Sequence, residues 1–95
     1  MILEIATFDI QAGHQDEFEQ TFQAAKAVIS QAKGYKDLNF YRCVEQSTKY
    51  KVLIHWEQLS DHTIGFRQST LFLEWRAILS PHFNSAPIAE HFEIV

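Results

Sequence analysis

A small α+β domain with the element order β-α-β-β-α-β, its second helix split, is the fold class this sequence predicts. Three observations lead there. Residues 2–10, 38–45, 50–57 and 88–95 are rich in β-branched and aromatic side chains that alternate along the chain. Residues 14–32 and 61–79 carry apolar residues at helical spacing instead. A polar loop, Gln46-Ser47-Thr48-Lys49, joins the middle strands so closely that they must form a hairpin.

The first strand, 2–10, has Leu3, Ile5 and Thr7 on one face. Ile2, Ala6, Phe8 and Ile10 lie on the other, with Glu4 the exception among them. Both faces are largely apolar, so both are expected to be covered. Gln11-Ala12-Gly13 makes a turn into the first helix. Asp16 and Glu17 sit in its first turn, where the helix dipole favours negative charge. Phe18, Phe22, Ala25 and Ile29 form one apolar stripe, and Gly34 follows as a left-handed terminator. The second strand, 38–45, sets Leu38, Phe40, Arg42 and Val44 against Asn39, Tyr41, Cys43 and Glu45. The third, 50–57, places Tyr50, Val52, Ile54 and Trp56 together, and Leu53 and His55 opposite.

Ser60 reads as an N-cap before Asp61 and His62. Gly65 is expected to split the helical region into 61–66 and 70–79. Leu71, Phe72, Trp75, Ile78 and Leu79 make the longer piece's apolar stripe, and Pro81 stops it. The last strand, 88–95, puts Ile88, Phe92 and Ile94 on one face. Right-handed crossovers around a hairpin then give a four-stranded antiparallel sheet with both helices on one side, the split-βαβ or ferredoxin-like arrangement. The face bearing Phe8 is expected to be the open one, with Thr7 turned toward the helices. An open apolar sheet face predicts that the partner is a second copy of the same chain.

Ninety-five residues fit one domain, 1–95. The net charge of −4 and the scattered Lys and Arg argue against nucleic acid or anionic lipid as partners. The third strand also lacks the RNP1 pattern of RNA-binding sheets. No apolar run approaches the ~20 residues of a membrane helix. The first ten residues hold Glu4 and Asp9 and lack a basic start, so no signal peptide is expected. Cys43 is the only cysteine and is read as an inert thiol; a cytoplasmic location is the expectation. His14, His55, His62, His82 and His91 show no i, i+4 pairing and no H-E-x-x-H, so no metal is expected.

Several short runs resemble one family. They are Gly34-Tyr35, Arg42-Cys43, His55-Trp56-Glu57, His62, Phe66-Arg67-Gln68-Ser69, Trp75-Arg76, Leu79-Ser80-Pro81 and His91-Phe92, with Gly13 and the Phe-rich helix before them. Together, in order and spacing across the whole chain, they resemble the antibiotic biosynthesis monooxygenase domain. The resemblance implies a dimeric α+β barrel. It also implies oxidation of a small phenolic or other electron-rich molecule by molecular oxygen, with no cofactor. Some relatives instead degrade haem, using an Asn, a Trp and a His. By position those fall on Thr7, Phe66 and Arg76, so haem degradation is not expected.

The residues themselves suggest a pocket between sheet and helices. His62 titrates near neutrality and is the candidate proton-handling group; a solvent-facing residue in a helix's first turn is the plainer reading. Arg76, and beside it Arg67, would hold a phenolate, though surface ion pairing is an equal alternative. Thr7 and Asn39 would orient substrate oxygens. Phe66, Phe72 and Trp75 would wall the pocket, although aromatic residues at helical spacing are more often core. His91 would line the pocket or a dimer seam. Trp56 is assigned to the contact between subunits. A homodimer that binds a small ligand without chemistry, or one with a purely structural role, is the alternative function.

Overall fold

The computed structural model describes residues 1–95. Strand β1 (Ile2–Asp9) leads into helix α1 (Gln15–Ile29), then strands β2 (Tyr35–Arg42) and β3 (Lys49–Trp56). A π-helical turn (Asp61–Phe66), helix α2 (Thr70–Leu79), a 3-10 turn (Ser80–His82) and strand β4 (Ile88–Phe92) complete the chain. The four antiparallel strands lie in the order β2-β3-β1-β4, the ferredoxin-like topology. No helix is long and apolar enough to cross a membrane.

The hydrophobic alternation decides which strand faces meet the helices. Ala6, Phe8 and Ile10 of the first strand segment, and Tyr50, Val52, Ile54 and Trp56 of β3, are buried there. They pack against Phe18, Phe22, Ala25 and Ile29 of α1 and Trp75 and Leu79 of α2. Two expectations are therefore corrected. Phe8 lies under the helices, and Thr7 shares the open face with Leu3 and Ile5. Trp56 is fully buried beneath the π-helical turn, not at a subunit seam. Two-residue periodicity separates the faces but cannot say which one receives the helices.

Local signals account for the connections. Gly34, at φ +83°, turns the chain from α1 toward β2, and a Cβ there would overlap the Asp61 side chain. Ser60 makes no side-chain cap. Ser69 instead caps α2, its hydroxyl accepting from the Phe72 amide at 3.3 Å. Gly65 sits inside the π-helical turn, so the break between the two helical pieces falls at residues 67–69.

The site between sheet and helices

A buried carboxylate organises this site. Glu4 projects from central strand β1 toward the helices and is only 4% exposed. The Trp56 indole donates to its Oε1 at 2.9 Å, and His62 Nε2 lies 3.4 Å from the same oxygen. His62 is 3% exposed, and its other ring nitrogen, Nδ1, is 2.7 Å from His91 Nε2. His91 stands on β4 directly opposite Glu4 across the strand ladder. Glu4, His62 and His91 thus form a chain of polar contacts, a 3.4 Å carboxyl–imidazole approach followed by a 2.7 Å hydrogen bond, from the protein interior to the half-buried edge strand.

The π-helical turn sets the position of His62. The Arg67 amide bonds back five residues to the His62 carbonyl at 3.1 Å. This wide turn directs His62 and Phe66, four residues apart, to the same buried side. His62 lies nearly parallel to Trp56, with ring centroids 5.3 Å apart. Phe66 meets Phe72 and Trp75 edge to face.

Electrostatics follow from burial. Loss of water pushes the Glu4 carboxyl up to about 7, although the Trp56 hydrogen bond and the Arg67 charge pull the other way. Burial, with the charges of His91 and Arg67, pulls His62 down to about 4. Burial and then Arg67 lower His91 as well. At neutral pH both imidazoles are therefore neutral, and Glu4 is the group poised to change its protonation state. A neutral imidazole donates from one nitrogen and accepts at the other, so His62 can pass a proton between Glu4 and His91.

Beside this chain lies a cavity of about 220 Å³. Glu4 and His62 supply acid–base groups to its wall, and Phe8, Phe66, Phe72, Trp75 and Phe83 supply aromatic surface. Arg67 and Arg76 flank it, their guanidinium carbons 5.6 and 6.0 Å from the Phe72 ring centroid. Such a space accepts a small flat molecule with one anionic or hydrogen-bonding edge.

Of the residues singled out from sequence, His62, Phe66, Phe72, Trp75 and Arg76 come together around this cavity. His91 joins through His62. Thr7 and Asn39 do not. Thr7 Oγ1 accepts from Lys51 Nζ at 3.0 Å on the open sheet face, and exposed Asn39 lies opposite Leu53 on the same side. Glu4 is the group that sequence reading passed over. Its signal was a single carboxylate interrupting the apolar set Ile2, Ala6, Phe8 and Ile10.

Comparisons with known proteins agree with this fold. The sequence profile of the family described as antibiotic biosynthesis monooxygenase matches residues 1–78. The uncharacterized protein YczJ of Bacillus subtilis strain 168 is 41% identical over all 95 residues, covering 100% of both chains. A crystal structure of a candidate antibiotic biosynthesis monooxygenase from Bordetella bronchiseptica superposes with a TM-score of 0.95 at 31% identity, covering 99% of this chain and 96% of that one. SnoaB, a cofactor-independent oxygenase of Streptomyces nogalater, shares the fold at a TM-score of 0.81 and 18% identity, over 99% of this chain and 92% of its own.

Proposed function

This chain belongs to the antibiotic biosynthesis monooxygenase family, and from that premise we propose that it is a homodimeric, cofactor-independent monooxygenase acting on a small phenolic molecule. The observation that carries this reading is the buried Glu4–His62 pair, backed by His91, at the wall of an aromatic cavity. A cavity of about 220 Å³ falls below the ~300–1,000 Å³ of drug-sized sites. The substrate is accordingly a one- or two-ring phenol, sandwiched among Phe66, Phe72 and Trp75.

In this scheme the Glu4 carboxylate takes a proton from the bound substrate, directly or through His62. Arg67 and Arg76 hold the phenolate oxygen. The anion, rich in electrons and shielded from water, is the species that reacts with molecular oxygen. One oxygen atom enters the ring as a carbonyl. The other leaves as water, with the single hydrogen of the oxidised carbon and the proton that Glu4 took from the phenol. Thr7 and Asn39 have no part in this version, because they face away from the cavity.

Oxygen uptake with a panel of simple phenols, naphthols and hydroquinones tests the proposal. Turnover is expected to rise with pH through about 7 as Glu4 ionises. Glu4→Gln keeps an oxygen for the Trp56 indole and is expected to lower turnover about 10²–10⁴-fold. His62→Ala should still bind the product while losing turnover. Buffer-level oxygen uptake on every substrate, with retained binding, would leave a ligand-binding dimer as the reading instead.

A further inference from the structure

We propose a second site, for a divalent transition metal, built from His14, Glu17 and His82 at the opposite end of β1 from Glu4. One donor atom from each of the three residues lies within 4.8 Å of the others. The Nδ1 atoms of His14 and His82, from residues 68 positions apart, are 3.1 Å apart. Zinc–nitrogen bonds of about 2.0–2.1 Å at tetrahedral angles place two imidazole nitrogens about 3.3 Å apart. The pair therefore already has nearly the spacing a shared ion requires. Glu17, one helical turn beyond His14, brings an exposed carboxylate to the same point.

The backbone holds both imidazoles in place. The His14 amide bonds to Gln11 O at 3.0 Å, and the His82 carbonyl accepts from the Gln11 amide at 2.9 Å. An isolated bridge between Ile10 and Phe83 ties the same two segments together. His82 is only 5% exposed and lies against Phe18, so its ring cannot turn freely away. Two imidazoles with facing nitrogens can share one proton, and a metal satisfies both lone pairs at once. The α1 N-terminus disfavours a cation, but Asp16 and Glu17 supply negative charge there.

The donor set selects the metal. Two nitrogens and one carboxylate suit zinc, cobalt, nickel or copper, whereas calcium and magnesium call for oxygen ligands. Three protein ligands leave one position for water. Phe83, adjacent to His82, stacks on Phe8 with ring centroids 5.4 Å apart, and both line the cavity. An ion here would clamp the β1–α1 corner to the segment after α2 and stiffen that cavity wall. This inference does not depend on the oxygenase reading.

Tag-free, chelator-treated protein titrated with zinc and with cobalt tests it. Saturable binding of one ion per chain is expected, with a thermal midpoint that rises with metal concentration and with the visible spectrum of four-coordinate cobalt. His14→Ala, at a half-buried position, should weaken zinc binding at least tenfold, and Glu17→Gln should weaken it too. His62→Gln should leave it unchanged. No saturable binding below millimolar zinc, unaltered binding in His14→Ala, or loss of binding in His62→Gln would each overturn the proposal.

Discussion

Glu4 and His62 are two titratable groups displaced in opposite directions by the same burial. Moving a carboxyl from 4.5 to about 7 corresponds to roughly 3 kcal/mol between its protonation states. Its raised value makes a stabilising contribution that is full below about pH 4.5 and lost as pH rises to about 7. The His62 value, lowered from 6.5 to about 4, contributes above about 6.5 and is lost as pH falls to about 4. Across the overlap the two slopes cancel, because the folded chain carries on Glu4 the proton that the unfolded chain carries on His62. Each single variant should therefore expose the other group. Glu4→Gln should lose stability as pH falls from 6.5 toward 4. His62→Gln should lose it as pH rises from 4.5 toward 7. Urea unfolding midpoints across this range check the claim; parental slopes in both variants would refute it. His62 was identifiable from sequence as a histidine at a helix start, whereas Glu4 needed a view of what surrounds it.

At the scale of elements, caps and turns account for most of what the sequence announced. Residues 70–79 emerge as α2 with the anticipated ends, because Ser69 and Pro81 bracket a clear apolar stripe. Ser69→Ala should cost about 1 kcal/mol by removing the α2 cap. Two glycines at positive φ provide a controlled pair. Gly13→Ala meets open space and should cost about 1 kcal/mol. Gly34→Ala must also displace Asp61 and should cost more. Equal thermal midpoints in the two variants would show that the Asp61 contact carries no weight. The strand ends were less readable. A register shift between Tyr35 and Asp37 hides the start of β2. β4 stops at Phe92, opposite Leu3, because β1 offers little further partner beyond it.

For the whole molecule, the consequential feature is the sheet face without helices. Leu3, Ile5, Leu53, Tyr41, Ile88 and Phe92 share it; Ile88 is 65% exposed and Phe92 45%. This surface supports the homodimer in the proposed function, with sheet covering sheet. Sedimentation at micromolar concentration should give twice the 11.1 kDa chain mass. Leu53, opposite Ile5 in the register, lies near the middle of the face, and Leu53→Asp should shift the protein toward monomer. An 11.1 kDa species from the unaltered chain would sink the dimer.

The sequence by itself determined the element order, the ferredoxin-like topology and the aromatic stripe of α2. These rest on periodicity, caps and short connections, which act within a few residues. Only the tertiary structure decided which face of β1 meets the helices. That choice removed Thr7 and Asn39 from the cavity and moved Trp56 from an expected subunit seam into the core. It also decided that Glu4 meets His62 and His91, and that His14 meets His82. Alternation in a strand apolar on both sides is symmetric, and contacts between distant residues are set by how layers pack. The carboxylate that breaks the apolar pattern of β1 was visible from the start. Its chemistry became visible only when Trp56 and His62 closed over it.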